Sequence, residues 1–336
     1  MNKQQPVRLR DLAFELNLSV STISRAISGK GRISDKTRVR VLKAIKKSNY
    51  TPNDVARSLR MQNAMSLGII VTDITNSFFA SVIKGAQSVS REMGYSILLS
   101  NSDENILYEA EAMQLMLEKQ ISGLILASVG NNGPKITQFQ NLNIPVVFID
   151  NTPESVQSFD SVSTDNHKAA HSLTTRLIEK GYKHIGMITG PLNQSSGRQR
   201  YEGFQSAMKE HGIPLRDEWI REGNFQMESG RLMMRQILET PIPPKAVIIC
   251  NNYMTYGAAK TIKEMGKSIP ADVALASFDT DDPTSLSSPT IASMNQPAVQ
   301  IGTKAAEILI NRLTAKHPLS HTNLVLEPVF TDGDSW

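Results

Sequence analysis

The run Val20–Ser28, VSTISRAIS, gathers four hydroxyls and one guanidinium into nine residues. Helical spacing turns Ile23, Ala26 and Ile27 to one side. Val20, Ser21, Thr22, Ser24, Arg25 and Ser28 are left facing outward. These are short polar or methyl-bearing side chains with a single arginine. Such a face can enter the major groove of DNA. Its hydroxyls can bond phosphates or bases, Arg25 can bond guanine O6 and N7 together, and a methyl can meet thymine. A helix that is merely solvated is the bland alternative, but Ser and Thr are mediocre helix formers and an odd choice for it.

A second set of side chains falls at the ends of apolar runs. It comprises Thr72, Asp73, Asp150, Ser195, Ser196, Asn251 and Asp279, with Arg200 early in the helix after Gly190 and Phe78, Phe79 and Phe225 nearby. Carboxylate and guanidinium groups bond vicinal hydroxyls, and an aromatic face covers the C–H patch of a sugar ring. This chemistry suits a neutral polyhydroxyl ligand. On residues alone, ordinary loops and helix caps remain the competing reading.

Enzyme chemistry finds little support. No phosphate-binding loop with Lys-Ser/Thr occurs, and GKGRIS lacks a third glycine and a preceding strand. The one cysteine, Cys250, ends an apolar run and reads as core, with no base beside it in sequence. His167 and His171 stand i, i+4, but HKAAH lacks the glutamate of a zinc protease. Asp279-Thr280-Asp281-Asp282 lacks the spacing and glycine of a calcium loop. The expectation is no catalytic residue, no metal and no cofactor.

The elements that must position these groups divide the 336 residues in two. Residues 1–60 hold 14 Lys/Arg against 4 Asp/Glu, and the remainder holds 22 against 28. A compact basic module on a mildly acidic body is the footprint of a polyanionic partner. In the module, Leu9, Leu12, Ala13 and Leu16 mark a first helix. Ser19 caps the VSTISRAIS helix. Ser34 caps a third, whose apolar stripe is read as Val39, Leu42, Ala44 and Ile45. Helix, short turn, helix is the helix-turn-helix pattern. PNDVARSLR, residues 52–60, has the composition of a helix start, yet two turns alone are marginal in water.

Beyond residue 63, short apolar runs alternate with helical stretches. The runs are LGIIVTD, YSILLSN, GLILAS, PVVFID, HIGMITG, AVIICN, VALASFD and NLVLEPV. The helical stretches include 79–93, 106–119, 167–180, 198–211 and 256–265. Strand alternating with helix implies parallel, doubly wound sheets, and so many units imply two of them. The layouts after 76 and after 165 are similar, which suggests two related lobes. The start, MNKQQPVRLRD, has no apolar segment, and no run is long enough to span a membrane, so a soluble cytoplasmic protein is expected.

The first sixty residues resemble the headpiece of the lactose-repressor (LacI/GalR) family of bacterial transcription regulators. The resemblance rests on the runs VSTISRAISG, ISDKTRVRVLKA and YTPNDVARSL. It implies that Val20, Ser21 and Arg25 read bases and that Thr22, Ser24, Ser34 and Thr37 contact phosphates. It makes PNDVARSLR a hinge helix that orders on DNA, where Leu59 of each chain in a dimer is pushed between central base pairs, with Ala56 beside it and Asn53 and Arg60 flanking. An apolar wedge of this kind unstacks a base step and kinks the duplex. Arg8 stands where the family has a Ser or Thr cap, and Ser28 where it often has Asn.

The resemblance continues through LGIIVTDITNSFF, PVVFIDN, GPLNQSSGRQRYEGF, NFQMESG and SFDTDD to MNQP, and so covers nearly the whole chain. It implies a core akin to periplasmic sugar-binding proteins. Arg200 and Asp279 match the pair that grips the effector. Phe78, Phe79, Asp150, Phe225, Asn251 and Gln296 match pocket positions, and Ser196 one that varies with ligand; Thr72 joins them at the end of the first strand. Asn252-Tyr253 departs from the family's Asn-Asp signature, and Phe278 stands where Tyr is frequent.

The expected architecture is α/β. An all-α headpiece with hinge helix (1–62, hinge about 52–60) precedes a two-lobed core (63–336) of two doubly wound parallel sheets. One lobe takes about 63–163 and 295–324, the other about 164–294 and 325–336. The expected protein is a repressor of a carbohydrate-utilisation operon. It would be a homodimer on a pseudo-palindromic double-stranded operator, controlled by a sugar-like effector between the lobes. A purine-type or catabolite-control regulator, the latter answering to a phosphorylated partner protein, is the alternative within the family. An exported sugar-binding protein is the alternative outside it, disfavoured by the basic headpiece.

Overall fold

A computed structural model of the chain describes residues 9–28, 32–48, 65–153, 155–156, 158–280 and 288–336. They fall into two compact units, Met1–Ala64 and Met65–Trp336. The positions expected to form the hinge helix, Asn53, Ala56, Leu59 and Arg60, lie outside the described residues, as do Asp281 and Asp282.

The first unit contains α1 (Leu9–Glu15), α2 (Val20–Ser28) and α3 (Asp35–Ser48). The Ser19 hydroxyl accepts the Thr22 N–H at 3.1 Å and the Ser34 hydroxyl accepts that of Thr37 at 3.3 Å. Each cap satisfies a first-turn donor that the helix itself leaves open. Ala13, Leu16, Ile23, Ala26 and Val41 form a small core, with Ile27, Ala44 and Ile45 packed against it. Arg40 fastens α3 to the end of the first helix by donating to the Leu16 carbonyl at 3.0 Å.

The expected stripe on α3 needs correcting. Val39 and Leu42 are 52% and 46% exposed, whereas Val41 is fully buried. Val41, Ala44 and Ile45 repeat at i, i+3, i+4, and Val39 and Leu42 also stand three apart, so periodicity offers two competing faces. Contact with the rest of the bundle selects the first.

The second unit holds twelve strands among its described residues. In chain order they are β1 (Ser66–Val71), β2 (Ser96–Asn101), β3 (Gly123–Leu126), β4 (Val146–Ile149), β5 (Asp160–Thr164), β6 (Ile185–Thr189), β7 (Ile220–Glu222), β8 (Ala246–Ile249), β9 (Ala274–Phe278), β10 (Ala292–Asn295), β11 (Asn323–Leu326) and β12 (Val329–Thr331). They make two six-stranded sheets, ordered β11-β5-β4-β3-β1-β2 and β12-β10-β9-β8-β6-β7. Counted within its own sheet, each lobe has the same order, 6-5-4-3-1-2. Every pairing is parallel except β10 with β12.

Among the described residues, eight α-helices cover these sheets: α4 (Ser77–Glu92), α5 (Ile106–Glu118), α6 (Gly133–Asn141), α7 (Asn166–Glu179), α8 (Ser195–Glu210), α9 (Met227–Leu238), α10 (Asn252–Glu264) and α11 (Ala298–Thr314). Strand alternation sorts the first lobe's core. Leu67, Ile69 and Val71 of β1 join α4 and α11 on one face. Ile70 joins α5 and α6 on the other. Between α4 and α11 the backbones nearly touch. A Cβ on Gly85 would lie 2.1 Å from the Val299 carbonyl oxygen, and one on Gly302 1.8 Å from that of Val82.

The chain passes between lobes three times: from β5 to α7, from β10 to α11, and from β11 to β12. NLVLEPV, read from sequence as one strand, is therefore two. β11 closes the first sheet and the residues from Val329 onward add an antiparallel edge to the second.

Candidate functional site

In both sheets the strand order reverses beside the first strand, between β1 and β3 and between β6 and β8. Ligands of doubly wound folds bind beyond the carboxyl ends of strands at such a point. Here the two reversals face one cleft. Thr72 follows β1, Asp150 follows β4, Phe225 follows β7, Asn251 follows β8 and Asp279 follows β9. Phe78 and Phe79 come from the first turn of α4, and Ser196 and Arg200 from that of α8 and just beyond it. With Gln296, these residues all line the cleft.

Arg200 is the buried centre of the second lobe's wall, 2% exposed. Its Nε donates to Asn166 Oδ1 at 2.7 Å, one terminal nitrogen donates to the Cys250 carbonyl, and its plane lies 4.3 Å from the Phe278 ring centroid. Phe278 therefore serves beneath the guanidinium. Burial raises the Asp279 carboxyl, against the pull of Arg200. It raises Asp150 to about 6, with Arg200 opposing and Asp279 adding to the rise. Gln296 holds Asp279 through its backbone N–H at 2.8 Å and its side-chain amide at 2.9 Å.

Asn251 spends both ends of its amide inside the lobe. It accepts the Met254 N–H at 2.9 Å as the cap of α10 and donates to the Phe225 carbonyl at 2.8 Å. It shapes the wall by fixing Phe225, whose φ is +64° and whose ring lies over Gly190. A Cβ on Gly190 would stand 2.1 Å from that ring. Asp150 and Asp279 also adopt left-handed φ, +61° and +59°. Three non-glycine residues in this region at one cleft is a concentration of strain of the kind found where side chains must be aimed.

Two polar latches join the lobes. Asn76 and Asn252 exchange reciprocal amide bonds at 3.0 Å, and Thr75 Oγ1 meets the Tyr253 hydroxyl at 2.8 Å. Elsewhere, Asn151 Oδ1 accepts the Ser196 N–H at 2.8 Å and the Ser195 hydroxyl at 3.2 Å, while its Nδ2 donates to Gln194 at 2.9 Å. A first-lobe side chain thus occupies the N-terminus of a second-lobe helix. Gln194 also donates to Glu104 at 3.1 Å.

On α2, Ser21 and Arg25 are exposed and Val20, Thr22 and Ser24 half-buried, opposite fully buried Ile23 and Ala26. The Thr22 and Thr37 hydroxyls stand at the N-termini of α2 and α3, each 2.8 Å from the capping serine's oxygen. A hydroxyl beside open N–H groups is a ready anion site. The Cys250 thiol, by contrast, is fully buried and pushed up to about 11, chiefly by burial, which keeps it protonated. His171 lies 2.7 Å from Glu210.

Residues 64–329 match the model of periplasmic binding proteins and the sugar binding domain of the LacI family, and residues 8–53 that of bacterial regulatory proteins of the lacI family. The chain belongs to the LacI family. It is a DNA-binding transcriptional repressor of that family with an effector-binding core. It is 31% identical over 304 residues to catabolite control protein A of Priestia megaterium, covering 90% of this chain and 91% of that one. It is 31% identical over 331 residues to the HTH-type transcriptional repressor PurR of Escherichia coli O139:H28, covering 97% of each. The lac repressor dimer bound to operator and the anti-inducer ONPF shares the fold, with a TM-score of 0.86 at 23% identity over 98% of this chain and 99% of that one.

In this LacI-family repressor the cleft also contains residues that sequence reasoning did not assign to it: Asn76, Glu104, Gln226 and Asn252. Asn76 is the N-cap of α4, and Asn252 is the first residue of α10, next to its cap Asn251. Glu104 sits in the turn after β2, where an acidic residue carries no signal of its own. Among the described residues no helix is long and apolar enough to cross a membrane.

Proposed function

We propose that this LacI-family repressor binds a pseudo-palindromic operator as a homodimer, and that a small polyhydroxyl ligand held between its lobes sets that affinity from the cytoplasm. The observation that carries the reading is the cleft itself. Ten residues singled out from sequence, drawn from both lobes, meet there around the buried Arg200 and the half-buried Asp150 and Asp279. A ligand touching both lobes has a different affinity for each arrangement of them, so ligand and operator affinities are coupled reciprocally. Arg200 and Asp279 hold the ligand's hydroxyls, with Asp150, Ser196, Thr72 and Gln296 beside them, and Phe78, Phe79 and Phe225 cover its apolar patch.

On the DNA side, Val20, Ser21 and Arg25 read bases, and Thr22, Ser24, Ser34 and Thr37 hold phosphates. Residues 52–60 form the hinge, with Leu59 as the wedge and Asn53, Ala56 and Arg60 around it. No catalytic step belongs to this reading. Selection of binding sites from random duplexes by the full chain should return two-fold symmetric sequences. Leu59→Ala should then weaken binding to the selected site more than to unrelated DNA; equal losses on both would remove the wedge from the scheme.

A further inference from the structure

The cleft is lopsided in charge. Asp73, Glu104, Asp150 and Asp279 line it, against Arg200 as the single cation among the lining residues. That guanidinium is already engaged, with Nε on Asn166 and a terminal nitrogen on the Cys250 carbonyl. The cleft also holds an unpartnered acceptor. Gln296 turns its amide nitrogen on Asp279, which leaves its Oε1 without a partner. Gln296 is only 9% exposed, so this orphaned acceptor is buried and borders the cleft. A buried acceptor without a donor is unfavourable until a ligand supplies one.

Glu104 adds to the imbalance from the first lobe. Burial raises its carboxyl; hydrogen bonds from Thr72 and Gln194 oppose this, and the charges of Asp150 and Asp73 push it further up. Carboxylates that lift one another in a site shielded from water would be relieved by a positive charge and crowded further by a negative one. We infer that the ligand of this cleft carries a protonated amine beside its hydroxyls, as an amino sugar or an amine-bearing polyol does, and that phosphorylated and carboxylated sugars are excluded. The inference rests on the effector reading above. The amine lies toward Glu104 and Asp150, and the hydroxyls meet Arg200, Asp279 and the free oxygen of Gln296.

The test uses the full chain and calorimetric titration with matched sets of glucose, galactose and ribose, each as the neutral sugar, its amino form and its carboxylate or phosphate. In at least one set the amino form should bind about tenfold or more tightly than its neutral parent, as one favourable charge contact in a partly buried site implies. The anionic forms should not bind. Glu104→Gln should bring the ratio of amino to neutral affinity close to one. An anionic member that binds, and loses binding in Arg200→Ala, overturns the charge preference and leaves the effector cleft standing. A neutral sugar preferred over its amine does the same. A panel in which nothing binds overturns both.

Discussion

In the helical unit, the side chains proposed to face DNA are those its core leaves exposed; in the larger unit, most of the side chains that line the cleft are themselves buried and hold the walls. Ser21 and Arg25 project from α2, while Ile23 and Ala26 on the same helix do the packing. Arg200, Asn251 and Phe225 do both tasks at once, since each is tied to backbone or to a neighbour in its own lobe. The contrast follows from the ligands. A duplex is met on an open surface, so reading and folding can be assigned to different residues. A small molecule is enclosed, so the groups that touch it must be oriented before it arrives, and orientation comes from packing.

This separation can be broken most forcefully at Ile23. It is fully buried in a core of few residues. Ile23→Ala should cost about 2–5 kcal/mol, unfolding the headpiece and abolishing operator binding while ligand titration of the larger unit proceeds normally. A lost ligand response would mean that the units do not fold independently. Arg200→Ala comes next. It removes two hydrogen bonds from a charged donor, worth about 1.5–3 kcal/mol each, and should abolish the ligand's effect on operator affinity while ligand-free DNA binding persists. Normal titration in this variant would refute the pocket assignment.

Asp150 gives a smaller effect with a defined sign. Its carboxyl stands at about 6 in the fold against an ordinary 3.8, so the fold favours its protonated form. The stability linked to that proton is whole below about pH 4 and is lost as pH rises through 6. Asp150→Asn should therefore match the parent near pH 4 and exceed it by about 1–3 kcal/mol at pH 7.5 without ligand, seen as melting temperature against pH. A constant difference across that range would mean that Asp150 is ordinary in the fold. Arg25→Ala sharpens the contrast from the other side. It should cost about 1–3 kcal/mol of operator affinity and relax one base preference, with a change in folding stability below about 1 kcal/mol. An unchanged base preference would sink its reading role.

The same contrast explains what could be read from the residues alone. On α2, helical periodicity separates Ile23 and Ala26 from Ser21 and Arg25, as in the structure, but Val20, expected to face outward, packs against the small core. On α3 the pattern was ambiguous, and Val41 rather than Val39 or Leu42 turned inward. In the body, apolar runs announced most strands. They did not announce β5, Asp-Ser-Val-Ser-Thr, where Val162 is the one large apolar residue and burial comes from flanking strands of distant sequence. Nor did they announce β7 or β10, or the helices α6, α9 and α11. The cleft was the least legible part from residue type, because Asp, Asn and Ser after a strand are as common in caps as in sites. The family resemblance drew nine cleft positions together, with Thr72 added as a strand-end residue, and Glu104, Asn76 and Asn252 emerged only with the tertiary arrangement.

The three passages of the chain between the lobes have a genetic consequence. Each lobe is assembled from separated stretches of the reading frame, since β11 and α11 belong to the first lobe although they follow most of the second. A crossover joining this gene to that of a relative cannot transplant a whole lobe with one junction. It would deliver sheets with strands of mixed parentage, seated against helices they did not evolve beside. New ligand preferences should thus arise in this scaffold by single-codon changes at strand ends far more readily than by exchange of lobes, whereas the headpiece, contiguous and self-packed, is open to exchange as a block.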